Sequence, residues 1–134
     1  MLSLPTLSFL ADLQEKSHAA YPEGGLLFTY IEASRQAHFR YPVGNIVSAS
    51  LSPRELKDLG RFLQASQGDY LSESVGASFV FAAQRLMECL RNDLRFDEIC
   101  CLFQDESPDM EAKLNMVRRS DNCFFALELW WSID

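Results

Sequence analysis

The sequence predicts an α+β fold, with one antiparallel sheet of about four to five strands packed against about three helices in the order α-β-β-α-α-β-β-β. Two observations lead there. Apolar residues recur at helical spacing in three separate segments, whereas the remaining segments alternate every second residue or form short apolar runs. The last strands also follow one another directly, as hairpins do, instead of alternating with helices. At 134 residues the chain has the length of one domain, 1–134, with a single core.

The first helix is expected over residues 6–20, capped by Thr6, with Leu7, Leu10, Leu13 and Ala11 on its buried face. Tyr21-Pro22-Glu23-Gly24-Gly25 ends it. From Leu26 to Ala33 the pattern becomes extended, with Leu27, Thr29 and Ile31 facing one way and Leu26, Phe28 and Tyr30 the other. A strand apolar on both faces belongs inside a sheet covered on both sides, or at an interface. His38 to Val43 and Ile46 to Leu51 supply a returning strand, which Pro42 and Gly44 mark as an edge strand or a bulge.

Ser52-Pro53-Arg54-Glu55 is the clearest local signal. Ser52 caps a helix, Pro53 suits a first turn where its missing N–H costs nothing, and Glu55 completes a capping box. Leu56, Leu59, Phe62 and Leu63 mark that helix's buried face, and Gln67-Gly68 stops it. A longer helix is expected from about Ser72 to Asn92, on the stripe Val75, Phe79, Ala82, Ala83, Leu86, Met87 and Leu90. Three strands close the chain: Ile99 to Phe103, Leu114 to Arg118, and Cys123 to Ile133, the last two joined by the turn Arg119-Ser120-Asp121-Asn122. In the last strand Phe125, Leu127, Leu129 and Trp131 share one face, and Phe124, Ala126, Glu128 and Trp130 the other.

The net charge of −7 argues against a nucleic acid or an anionic membrane as partner, because the mean field repels a phosphate backbone. The charge is concentrated between Asp93 and Glu111, where seven acids face the single base Arg95. The N-terminal residues lack the basic start of a signal peptide, and no apolar run reaches the length of a membrane span, so a cytoplasmic location is expected. Cys89, Cys100, Cys101 and Cys123 form no CxxC pair. They read as reduced, buried thiols, with neither disulfide nor metal site.

Catalytic chemistry has little material. His18 and His38 are the only histidines; His18 suits a helix C-terminus, and His38, beside Arg35 and Arg40, is a candidate general base that lacks an identifiable nucleophile or phosphate-binding loop. Gly24-Gly25 lacks the context of a nucleotide-binding turn, and Asp105 to Glu111 lacks the glycine and spacing of an EF-hand loop. No cofactor is called for.

The acids admit two main uses: a solvated loop that keeps the protein soluble, or a surface complementary to a basic protein. On the second reading the contact face includes Asp97, Glu98, Asp105, Glu106, Asp109 and Glu111, with Trp130 as aromatic anchor. A small, acidic, cytosolic domain without catalytic equipment resembles in type the immunity proteins that bacteria keep against toxin domains, many of them basic nucleases. That resemblance implies a non-enzymatic inhibitor, monomeric or homodimeric, that covers a basic active site; it carries no motif and no site residue. A dimeric secretion-chaperone-like or adaptor protein is the alternative, though such proteins more naturally close on a helix, and a small enzyme using His38 is the third reading.

Overall fold

The computed structural model describes residues 1–33, 48–68, 77–106 and 109–132, without the side chains of residues 77–80, 105 and 106. Among the described residues the element order is α1 (Leu4–Ala20), β1 (Gly25–Ala33), α2 (Pro53–Ser66), α3 (Ala77–Leu94), β2 (Glu98–Glu106), β3 (Asp109–Arg118) and β4 (Cys123–Ser132). The four strands form one antiparallel sheet in the order β1-β4-β3-β2. The α+β class expected from the sequence is thus the one observed, with helices on one face of the sheet.

The expected second strand falls mostly on residues 34–47, outside the described residues. Its last part is visible: Ser48 forms an isolated antiparallel bridge with Ile99 of β2. The chain therefore leaves β1 at one edge of the sheet and is found at Ser48 beside the opposite edge, so at Ser48 the partner is β2 and not β1.

The first helix starts earlier than its spacing suggested. Ser3 is the cap, Pro5 sits in the first turn, and the buried residues are Thr6, Leu10, Leu13 and Ser17; Leu7 is 39% exposed and Ala11 is exposed. The reason lies in a tertiary tie. Asp93, near the end of α3, accepts hydrogen bonds from the Ser3 N–H (2.9 Å) and the Thr6 hydroxyl (2.5 Å), which turns Thr6 inward. Burial raises the pKa of this carboxyl, but the two donors outweigh it and hold Asp93 below the usual carboxylate range.

The helix at Pro53 is the one predicted. The Glu55 N–H donates to Ser52 Oγ (3.1 Å) and the Ser52 N–H to Glu55 Oε1 (2.9 Å), closing the capping box. Glu55 does more than cap, because its other oxygen accepts the Cys101 N–H of β2 (2.8 Å). Leu59, Phe62 and Leu63 are buried, Leu56 is half-buried, and Gly68 ends the segment with a positive φ of 97°. In α3 the stripe Ala83, Leu86, Met87, Leu90 and Leu94 is buried; Val75 and the Phe79 side chain lie outside the description.

The core lies between the helices and one face of the sheet. Leu26, Leu114, Leu127, Leu129 and Trp131 are buried there, with Tyr21 stacked on Trp131 (5.2 Å) and Phe62 edge-on to Phe103 (6.2 Å). Cys100 and Cys101, adjacent on β2, point to opposite faces as alternation requires. Both thiols are free, and burial pushes them up, to about 11 and about 12. Among the described residues no helix is long and apolar enough to cross a membrane.

Candidate partner-binding face

The second sheet face, turned away from the helices, is uneven. At the end where β4 begins, Phe124 (5% exposed), Ala126, Asn115, Val117 and Cys100 are all buried. At the other end the surface opens into a depression of about 480 Å³ whose walls include Gln104, Asp109, Glu111, Glu128 and Trp130. Register explains the grouping: Glu111 of β3 lies directly opposite Trp130 of β4, whose other neighbour is Leu27 of β1, and Gln104 of β2 lies beyond Glu111. One row of the sheet therefore reads Gln104, Glu111, Trp130, Leu27.

The two tryptophans part company here. Trp131 is 1% exposed in the core, whereas Trp130 is half-buried on the open face beside Leu27, which is 45% exposed. Of the two aromatics that alternation places on this face, Phe124 is covered and Trp130 is partly presented. Elsewhere in this chain guanidinium groups sit over phenylalanine rings: Arg85 over Phe9 (5.8 Å), Arg91 over Phe96 (4.9 Å) and Arg118 over Phe125 (5.2 Å). Among the described residues no such cation covers Trp130, and none ion-pairs with Asp109 or Glu111. Glu128, by contrast, is engaged by Lys113 at 3.1 Å.

The acidic residues singled out in the sequence separate into groups. Asp109 and Glu111 are exposed and flank Trp130. Asp97 and Glu98 sit at the opposite end of β2 and hold the β3–β4 turn: Asp97 accepts the Arg119 N–H (2.7 Å), and Glu98 pairs with the Arg119 guanidinium. The span of β2, about 25 Å at 3.3 Å per residue, separates them from Trp130. Asp105 and Glu106 end β2, and their side chains are outside the description. The expected acidic loop is a hairpin, since β2 continues to Glu106 and β3 begins at Asp109, drawn on by the buried Met110 and Ala112.

His38, with Arg35 and Arg40, lies outside the described residues. His18 occupies the last turn of α1 and packs where a Cβ on Gly25 would stand, within 2.5 Å of its ring. No described group of three or more His, Cys, Asp or Glu side chains is placed to hold a metal ion. Gln104 and Glu128 were missed as wall residues, and Leu27 as the neighbour of Trp130 in the same row. Leu27 alone carried a signal, as the outward apolar residue of a strand apolar on both faces. Comparison with protein-family models, curated proteins and solved structures finds no match to this chain.

Proposed function

We propose that this chain is a non-enzymatic binding domain, an inhibitor of immunity type that neutralises a basic protein, such as a nuclease toxin domain, in the cytoplasm. The observation that carries the reading is the depression around Trp130. Among the described residues, a half-buried indole without a stacking partner stands between two exposed, unengaged carboxylates and an exposed leucine. Carboxylates at a rim steer and orient a cationic surface, and an aromatic anchor at the centre slows its departure. The chain as a whole, at −7, adds a long-range attraction of the same sign.

The contact face is accordingly Asp109, Glu111, Trp130 and Leu27, with Gln104 and Glu128 at its margin. Asp97 and Glu98 stabilise the β3–β4 turn instead. The test is capture from the source organism with three baits: the wild type, Trp130→Ala, and the double variant Asp109→Lys with Glu111→Lys. A basic protein retained by the wild type and lost by both variants, with its activity suppressed by the wild-type chain, is the expected result. Retention unchanged by either variant, or an acidic captured protein, would overturn the reading.

A further inference from the structure

At the strand that borders this face we infer that the outer edge of β1 is a two-fold interface, and that its occupant is a second copy of this chain. The hydrogen-bond phase of the sheet shows what that edge offers. Ile99 exchanges both backbone bonds with Ser48, so its N–H and C=O point out of the sheet at the β2 edge. Carried through the register Ile99↔Met116, Met116↔Phe125 and Phe125↔Glu32, the alternation turns the backbone groups of Leu26, Phe28, Tyr30 and Glu32 out at the β1 edge. The Leu26 carbonyl agrees, since it accepts a bond from Gln14 Nε2 of α1 (3.3 Å). Among the described residues nothing pairs with the outward backbone of Phe28 and Tyr30.

Edge strands are normally guarded by lysines, prolines, bulges or shortness. This one has nine residues, no proline, no base, and one charge, Glu32 near its end, which the Met1 amine and the Tyr30 hydroxyl already engage. Its outward face carries Leu27 and Ile31, 45% and 49% exposed, spaced two residues either side of Thr29.

That spacing makes the strand complementary to itself. A two-fold axis through Thr29 sets Leu27 of each copy opposite Ile31 of the other, and lets Phe28 and Tyr30 exchange backbone hydrogen bonds with their counterparts. An axis through Phe28 would place Leu27 opposite Thr29, and one through Tyr30 would place it opposite Ala33, leaving the apolar residues unmatched. On the helix side, Leu7 and Ala11 share with Gln14 the stripe of α1 turned toward this edge, so exposed apolar surface flanks the strand there as well. Two strands paired over about 30 Å make an interface near the small end of stable ones. The dimer is therefore concentration-dependent. Because each copy carries −7, added salt strengthens it, whereas salt weakens attraction to a basic partner. Leu27 borders both surfaces, whereas Thr29 and Ile31 do not line the depression, so Ile31→Lys and Thr29→Cys test the dimer apart from a basic partner.

Sedimentation equilibrium from low to high micromolar concentration is expected to show the mass rising from one chain toward two, and rising earlier at high salt. Leu27→Lys and Ile31→Lys, both at exposed positions, should each raise the dissociation constant by about tenfold or more while circular dichroism and the unfolding midpoint stay at wild-type values. Thr29→Cys supplies a test of register, since a non-hydrogen-bonded pair on the axis brings the two Cα atoms to about 4.5 Å, within disulfide range. Mild oxidation should cross-link Thr29→Cys well above the wild-type level set by its own four cysteines, and reductant should reverse it. A monomer mass at every concentration, a dimer indifferent to both lysine substitutions, or Thr29→Cys cross-linking no better than wild type would each overturn the inference.

Discussion

The two edges of the sheet are finished in opposite ways. At the β2 edge Ser48 takes both backbone groups of Ile99, and the Glu55 carboxylate takes the Cys101 N–H, so an isolated bridge and a helix cap together engage the first part of that edge. At the β1 edge, among the described residues, only Gln14 reaches the strand, at the Leu26 carbonyl, and apolar Leu27 and Ile31 stand beside it, 45% and 49% exposed. The lesson is that, among the described residues, the tertiary ties gather on one edge and leave the other as surface, although the two strands are of equal length.

Breaking the closed edge should cost far more than altering the open one. Ile99 is 1% exposed, and its truncation to Ala is expected to destabilise by about 3 kcal/mol through the lost burial and the cavity left behind. Leu27→Ala should fall within about 0.5 kcal/mol of wild type when measured at concentrations low enough to keep the chain monomeric. Urea unfolding of both variants checks the contrast, and equal costs would break it.

Glu55 sharpens the same contrast. Its two oxygens serve different elements, so Glu55→Ala should cost about 2 kcal/mol, more than Ser52→Ala at about 1 kcal/mol, which loses the cap alone. A cap considered by itself predicts the reverse order, so the ranking reports whether the tie to Cys101 exists.

Asp93 is the third tie, and it is pH-dependent. Its folded pKa is depressed, so its contribution is complete above the unfolded value of about 3.9 and is lost as pH falls through the folded value. Asp93→Asn should therefore cost about 1 kcal/mol at pH 7, with the gap between variant and wild type closing below about pH 4. A gap that stayed constant down to pH 3 would show that the carboxylate charge is not what holds Ser3 and Thr6.

The smallest effect is one of exchange alone. In dilute solution the Phe28 and Tyr30 amides should exchange hydrogen faster than those of Ile99 and Cys101, because among the described residues only the latter pair has acceptors. Raising the protein concentration should slow Phe28 and Tyr30 selectively if a second copy covers that edge.

Much of this architecture was legible in order of residues. The capping box at Ser52, the alternation of Cys123 to Ser132, the turn at Arg119 to Asn122 and the opposite facing of Cys100 and Cys101 all depend on neighbours within a few positions, and local spacing reports them faithfully. The candidate face was legible in part. Trp130, Asp109 and Glu111 were found as residue types, but the charge run that drew attention to them also contained Asp93, Asp97 and Glu98, which are internal ties at other places in the fold.

By itself, then, the sequence determined the α+β class, the helices and strands of most of the chain, and the sign and location of its charge, because periodicity and capping are properties of short stretches. Only the tertiary structure decided that Thr6 turns inward and, among the described residues, that the strand at Leu26 is an edge and which carboxylates are left free. Each of these turns on which strand or helix end lies alongside, as Asp93 lies against Ser3 across 90 positions of chain. Such pairings are chosen by the packing of the whole core, and they leave no mark in the spacing of nearby residues.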